Sequence, residues 1–293
     1  MPRVMPMEVK YYKSEVNDPK RMVNPIDLIT ENWIRLDFVL RYLSQLKPKR
    51  VNDYTIALEK RLQDDIKEFR IDYSALNFKE ILKEREYLNR YPDLLDLIIQ
   101  FVFHELKLQE EYQPSSEEVE VSLMDWLRSS NVFRYHRVKA IVDIMDREEG
   151  IQLWKDMVYR ATQDSLKSSD VEFHPPIKEI TKGWMKEGET GESNFELTVV
   201  SYDDHKVALR FDRCPVFDSV KHLEDREIAY LSYCWTGTPE QELNKKVRRK
   251  NTPQTLYQNN YCVEFYWNNE IHPDAQPPSS EFWEKIASTE ISN

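Results

Sequence analysis

Apolar residues in the first half of the chain recur every three or four positions, the spacing that places them on one face of an α-helix. Three stretches show this pattern: residues 33–43, residues 58–69, and a run that begins after Pro92 and ends around Leu106. Proline suits the first turn of a helix, so Pro92 marks the expected start of the third helix. The pattern therefore predicts a helical N-terminal unit.

A polar, proline-containing stretch follows this unit and predicts a domain boundary. Ser115 and Glu118 in this stretch have the spacing of a helix capping box. Two further helical patterns lie between residues 138 and 161. The chain therefore divides into a helical unit of residues 1–112 and a second domain of residues 113–293. Because the two regions are patterned independently, we expect a fragment of the second domain to fold alone.

The last third of the chain changes to an alternation of apolar and polar residues, which is typical of β-strands. Residues 194–217 predict a hairpin, and residues 261–267 predict a further strand. Residues 220–235 show helical spacing, and a helix is expected to continue from Pro239 to Lys250. Helices first and strands later indicate an α+β fold, in which the helical unit is followed by helices packed on a small antiparallel sheet.

Composition and charge exclude several classes of function. A net charge of −11 repels nucleic-acid backbones, and the basic run at residues 245–250 is interpreted as the solvated end of a helix, so we predict no nucleic-acid partner. The five glycines form no phosphate-binding loop after a strand. No apolar core of a secretory signal is present, and the longest apolar run, residues 94–103, is about half of what a bilayer requires. We therefore predict a cytoplasmic protein without a membrane partner.

The three cysteines of the chain, Cys214, Cys234 and Cys262, all lie in its last third. Their odd number and a reducing compartment argue against a disulfide framework. No C-x-x-C or H-x-x-x-H pair offers the close ligand spacing that structural zinc uses, so we predict no metal and no other cofactor.

The cysteine-bearing segment of residues 213–265 contains a characteristic order of motifs. They are Arg213-Cys214-Pro215, Tyr233-Cys234-Trp235, a helix holding Asn244 and Arg249, and Tyr261-Cys262. This order resembles the L-2-amino-thiazoline-4-carboxylic acid hydrolase-like family over about residues 117–268. Members of that family pair a helical front half with a cysteine-bearing α+β back half. One departure is Asn259-Asn260, which stands where the family has a glycine turn. Asparagine tolerates that backbone conformation, but close approach of the backbone to a ligand is less favoured.

The resemblance implies hydrolysis of a C–N or C–S bond in a small sulfur- and nitrogen-containing carboxylate, such as a thiazoline carboxylate. Such chemistry needs a nucleophile or an activated water, a proton-transfer group, and a cation for the carboxylate. We assign Cys234 as the nucleophile, because it stands before the expected start of a helix, a setting that lowers thiol pKa values. His222 is the candidate for proton transfer.

Two arginines, Arg213 and Arg249, are candidates to bind the carboxylate, because a guanidinium donates paired hydrogen bonds to it. The other substrate-binding candidates are Asn244, Trp235 and Tyr261. Each of these residues also has a purely structural interpretation. Free cysteines are often buried core residues, and lone histidines on charged helices are often solvated. Arginines ordinarily form ion pairs.

Two functions other than hydrolysis remain open. The protein could be a small-ligand-binding or sensor module without turnover, or a helical protein that docks a partner. The deciding feature is whether a cleft near Cys234 also contains a proton-transfer group and a cation. The predicted partner is a small-molecule ligand or substrate, and the sequence is compatible with a homo-oligomer.

Overall fold

The computed structural model describes residues 8–115, 117–168, 176–243 and 248–290 of the chain. Its helices, in chain order, are α1 (Pro25–Leu46), α2 (Val51–Ile66), α3 (Lys79–Lys83), α4 (Pro92–Glu105), α5 (Leu123–Asp143), α6 (Arg147–Ser168), α7 (Ile177–Thr190), α8 (Pro215–Val220), α9 (Arg226–Ser232), α10 (Thr238–Leu243) and α11 (Ser280–Glu290). Short 3-10 helices occupy Pro48–Arg50, Leu88–Arg90 and Cys234–Gly237. The strands are β1 (Glu8–Lys13), β2 (Lys20–Val23), β3 (Val119–Ser122), β4 (Glu196–Asp203), β5 (Lys206–Arg213), β6 (Arg248–Gln254) and β7 (Cys262–Asn268). The predicted α+β fold is confirmed.

The chain forms two compact units. The sheet unit consists of Met1–Pro19, Thr162–Asp218 and Gly237–Asn293, and the helical unit consists of Lys20–Ala161 and Ser219–Thr236. The division predicted at residues 112 and 113 does not coincide with these units. Strand β1 pairs with β4 within the sheet unit, and α5 packs against α2 and α4 within the helical unit. A fragment of residues 113–293 would lose partners in both units, which argues against its independent folding.

The sheet unit is built on a five-stranded antiparallel sheet with the order β1-β4-β5-β7-β6. The predicted hairpin is confirmed as β4 and β5, which turn at residues 203–206. The predicted strand at residues 261–267 is confirmed as β7. Strands β4 and β5 carry buried apolar residues on both of their faces, so both sides of the sheet must be covered.

Each face of the sheet carries its own apolar cluster. One face presents Leu197, Val199, Val207, Leu209, Phe211 and Tyr266, and Trp184 and Met185 of α7 pack against it. The opposite face presents Val200, Ala208, Val263, Phe265 and Trp267, and α11 contributes Phe282, Trp283 and Ile286. Successive strand residues point to opposite faces, which explains why neighbouring positions join different clusters.

The helical unit has its core between α1, α2, α4 and α5. The predicted stripe of Trp33, Leu36, Leu40 and Leu43 is fully buried in α1, and Asn24 caps that helix by accepting the backbone N–H of Ile26 at 2.9 Å. Pro92 begins α4 as predicted.

Two predictions from the sequence differ from the structure. Ser115 does not cap the next helix, because Val119–Ser122 pairs as strand β3 with β2, and Ser122 caps α5 by accepting the backbone N–H of Asp125 at 3.0 Å. The helix expected from Pro239 to Lys250 ends at Leu243, because Arg248–Gln254 forms strand β6 and its backbone pairs with β7. Part of the basic run lies outside the described residues.

No helix in the described part of the chain is long and apolar enough to cross a membrane.

Two glycines of α7 give a matched test of this packing. A Cβ at Gly188 would lie 2.3 Å from Cγ of Tyr12 on β1, whereas a Cβ at Gly183 would meet nothing within 4 Å. We expect Gly188→Ala to lower the free energy of unfolding by about 1–3 kcal/mol, because Tyr12 must move. Gly183→Ala should raise it by up to about 1 kcal/mol through helix propensity. Urea denaturation measures both values, and equal stabilisation by the two changes would contradict the packing.

Candidate functional site

The segment that holds Cys234 follows α9 in the helical unit. Asp225 caps the N-terminus of helix α9, because its carboxylate accepts the backbone N–H of Ile228 at 3.2 Å. The guanidinium of Arg147 donates to both oxygens of that carboxylate, at 2.5 and 3.0 Å. This hydrogen bonding holds the pKa of Asp225 below its ordinary value. The start of α9 is therefore fixed by a capped and charge-paired carboxylate.

The end of α9 is fixed by hydrogen bonds to its carbonyl groups. The buried indole of Trp154 donates to the carbonyl of Leu231 at 3.0 Å. Both the backbone N–H and the hydroxyl of Thr236 donate to the carbonyl of Tyr233, at 3.2 and 2.6 Å. These bonds close a tight turn over the 3-10 helix Cys234–Gly237 and hold the backbone around Cys234 in one conformation.

Cys234 itself is exposed, and its neighbours in the chain, Tyr233 and Trp235, are both aromatic. The ring of Tyr233 lies under the guanidinium of Arg134, whose Cζ is 4.6 Å from the ring centroid. The ring of Trp235 packs edge-on against Tyr159 at 6.0 Å, and Nζ of Lys155 is 5.6 Å from its centroid. The segment thus presents a thiol whose two neighbours in the chain each contact a cation.

His222 also lies in the helical unit, in the turn before α9, and its side chain is exposed. It forms no hydrogen bond or ion pair with any residue that the structure describes, so it is not bonded to the thiol of Cys234. Desolvation and the charge of Arg128 lower the pKa of His222 below its ordinary value. The lowered pKa favours the neutral imidazole, but the structure does not pair His222 with Cys234.

Three of the predicted substrate-binding residues belong to the sheet unit. Arg213 donates to Asp218 at 3.3 Å and to Asn17 at 2.9 Å, so its guanidinium has structural partners. The ring of Tyr261 lies 4.2 Å from Cζ of Arg210. Arg249 lies on β6 opposite Trp267.

Asn244 lies outside the described residues.

The two remaining thiols also belong to the sheet unit. Cys214 lies just before α8, and Cys262 lies at the start of β7 opposite Phe211. Neither compact unit alone contains the whole predicted set, because Cys234, His222 and Trp235 lie in the helical unit. The clustering of the cysteines along the chain is therefore not a clustering within one unit.

No group of three or more His, Cys, Asp or Glu side chains able to hold a metal ion occurs in the described ranges. The absence of a metal cofactor stays a prediction for elemental analysis.

Sequence reasoning missed Arg134 and Lys155, the two cations beside the cysteine segment. Lys155 gave no signal, since it resembles any charged position on a solvated helix face. Arg134 did give one, because it is a charged residue between Phe133 and Tyr135 in α5. A charge within a buried helix needs a partner, which is a reason to look for a site.

No family model, curated protein or solved structure matches the chain.

Asp225 offers a test of how α9 is held in place. Asp225→Asn keeps a side-chain acceptor for the helix cap but removes the charge paired with Arg147. Because the folded-state pKa of Asp225 is depressed, its contribution to stability is present above the unfolded value of 3.8 and is lost as pH falls through the lower folded-state value. We expect the variant to be less stable at pH 7 by about 0.5–1 kcal/mol, since Arg147 is half exposed.

The measurement is urea denaturation of wild type and Asp225→Asn between pH 2 and pH 8. Arg147→Gln removes the guanidinium of this pair, together with its ion pair to Glu227 at 2.8 Å, and it should also weaken the dependence of stability on pH below pH 4. If the difference in stability between wild type and Asp225→Asn does not change with pH, the charge of Asp225 does not stabilise the folded protein.

Proposed function

We propose that the protein binds a small carboxylate-bearing molecule at the segment Tyr233–Gly237, in the cytoplasm. The observation that carries this proposal is the exposed Cys234 between two aromatic side chains, each of which contacts a cation. An aromatic face suits a planar heterocycle, and an adjacent ammonium or guanidinium suits its carboxylate. The resemblance to thiazoline-carboxylate hydrolases supports a sulfur- and nitrogen-containing heterocycle as the ligand class.

Binding without turnover is the function that the geometry supports best. Hydrolysis needs a proton-transfer group as well as a nucleophile, and His222 does not contact Cys234 in the described part of the chain. Binding needs only the aromatic and cationic side chains, which are in place.

Hydrolysis by Cys234 is a second candidate, favoured by one specific observation. The thiol is exposed on a turn with a fixed backbone, and positive charges on Arg134 and Lys155 lie against its two neighbours. Cations favour the thiolate, which is the nucleophilic form. Attack of the thiolate on the ring carbon between nitrogen and sulfur would break the bond from that carbon to the ring sulfur, which takes up a proton. Water would then attack the same carbon and displace the thiol of Cys234, so that the product gains one water overall.

Trp235 is the residue that tests binding. We expect wild type to bind L-2-amino-thiazoline-4-carboxylate in isothermal titration calorimetry, and Trp235→Leu or Lys155→Met to weaken that binding about fivefold, the loss expected for one cation and ring contact. Tyr202→Leu in the sheet unit is the matched aromatic control, because its ring also contacts a lysine, with Nζ of Lys206 4.7 Å from the ring centroid, and it should bind as wild type. Absence of binding by wild type, or equal losses in Trp235→Leu and Tyr202→Leu, would contradict a site at this segment.

Cys234→Ser separates binding from turnover. If the protein is a hydrolase, this change abolishes ring opening, followed by mass spectrometry as the gain of one water, and leaves stability within about 1 kcal/mol because the side chain is exposed. Cys262→Ser should retain ring opening. Iodoacetamide should modify Cys234 well below pH 8.5, the ordinary thiol pKa being about 8.5. Ring opening by Cys234→Ser at the wild-type rate would exclude the thiol as nucleophile.

A further inference from the structure

Three arginines of the helical unit gather around one carboxylate. Arg35 comes from α1, and Arg134 and Arg137 come from α5. Glu31 forms an ion pair with Arg35, and its Oε1 lies 4.0 Å from Nη2 of Arg134. Among the described residues, Glu31 is the carboxylate that acts on all three guanidiniums. Three positive charges face one negative charge, which leaves two of them unbalanced.

These arginines are removed from solvent to different degrees. Arg137 is 4% exposed, and the side chains of Arg35 and Arg134 are 22% and 19% exposed. Burial, together with the charges of Arg35 and Arg134, lowers the pKa of Arg137 to about 9. Burial and then the charge of Arg134 lower the pKa of Arg35 to about 10. Both groups are still charged at pH 7, so their mutual repulsion is present in the folded protein.

Two of the three guanidiniums have polar partners. Nη1 of Arg35 donates to the hydroxyl of Ser130 at 2.7 Å, in addition to the ion pair with Glu31. Arg134 lies against Tyr233 and close to Glu31. Arg35 and Arg134 are also the more exposed of the three arginines.

Arg137 is different, because it forms no hydrogen bond or ion pair with any residue in the described ranges. Its Nε is buried without a partner, and its Cζ lies 5.4 Å from the ring centroid of Phe133. The hydroxyl of Tyr54, on α2, is fully buried and also has no partner among the described residues. Tyr54 lies on α2, which packs against α5, the helix of Arg134 and Arg137. Buried polar groups in folded proteins nearly always have a partner, so the unpaired hydroxyl of Tyr54 and the unpaired Nε atoms of Arg134 and Arg137 on these two helices point to a missing acceptor.

We infer that Glu31, Arg35, Tyr54, Arg134 and Arg137 form a binding site for a small oxyanion with two negative charges, either a phosphate group or a pair of carboxylates. Such an anion balances the two excess charges and accepts hydrogen bonds from the guanidinium of Arg137 and the hydroxyl of Tyr54. The burial of Arg137 restricts the bound group to a small one. This inference goes beyond the proposed function, because binding here does not involve the thiol of Cys234.

The test is the thermal unfolding of the full chain in a buffer without oxyanions, titrated with inorganic phosphate, malonate, acetate or chloride at constant ionic strength. We expect phosphate, malonate or both to raise the unfolding temperature in a saturable manner, because a ligand that binds the folded state stabilises it. Acetate and chloride should have no saturable effect. A response to phosphate alone identifies a phosphate group, and a response to malonate alone identifies paired carboxylates. Equal responses to all four salts would overturn the site.

Arg137→Met and Tyr54→Phe remove two of the unpaired donors at nearly constant volume. Without added anion, each should unfold at the wild-type temperature or above it, since an unpaired buried polar group is lost. Each should raise the apparent Kd for the responding anion by about tenfold, the loss expected for one charge-assisted hydrogen bond. Arg61→Gln is the control, because it removes an arginine of the same unit that pairs with Asp143, with Nε 2.7 Å from Oδ2. It should keep the wild-type Kd.

A wild-type Kd in both Arg137→Met and Tyr54→Phe would overturn the inference, as would an equal loss in Arg61→Gln. If Arg137→Met fails to fold, the guanidinium has a structural role, and Tyr54→Phe then decides the question alone through its Kd. Cys234→Ser should bind the anion as wild type does. The anion titration therefore tests this site separately from the function proposed for Cys234.

Discussion

The burial of α5 on nearly all sides is the constraint on which the helical unit depends. Helices α1, α2, α4 and α9 and the β2–β3 pair all pack against it. A helix with so little solvent face must satisfy its polar side chains internally. Asn131 does so by donating to the hydroxyl of Ser219 at 3.0 Å, and His136 does so with Asp65 at 2.6 Å. Arg137 on the same helix has no hydrogen bond or ion pair to any described residue, and Nε of both Arg134 and Arg137 is buried without a partner.

The sequence predicted those parts of the fold that depend on local pattern. The buried stripe of α1, the start of α4 at Pro92 and the β4–β5 hairpin each follow from residues near one another in the chain. Strand β1 was not predicted, because its partner is distant: the hydroxyl of Tyr11 donates to Glu196, 185 residues later. The boundary predicted at residues 112 and 113 differs from the division into compact units for the same reason. A polar stretch marks a loop, but only packing decides whether the elements on either side share a core.

The candidate sites were predictable to a smaller extent. Residue type alone identified Cys234 as a thiol worth testing, and the structure shows it exposed. Residue type could not show that Cys214 and Cys262 belong to a different compact unit, nor that Arg213 is engaged by Asp218 and Asn17. The arginine cluster depends on the packing of α1 against α5, which brings together residues about a hundred positions apart. Its one trace in the sequence is the pair of charges, Arg134 and Arg137, among the buried apolar residues of α5.

Arg134 links the two candidate sites, because its guanidinium contacts Tyr233 on one side and lies near Glu31 and the charge of Arg137 on the other. Tyr233 directly precedes Cys234, and its carbonyl accepts the hydrogen bonds that close the turn around the thiol. An anion bound at the cluster interacts with Arg134 and so changes the electrostatic environment of Tyr233. If an anion at the cluster changes the affinity of the cysteine segment for its ligand, that ligand changes the affinity for the anion by the same factor. The buried cations and the exposed thiol are therefore better understood as parts of one connected region of the helical unit.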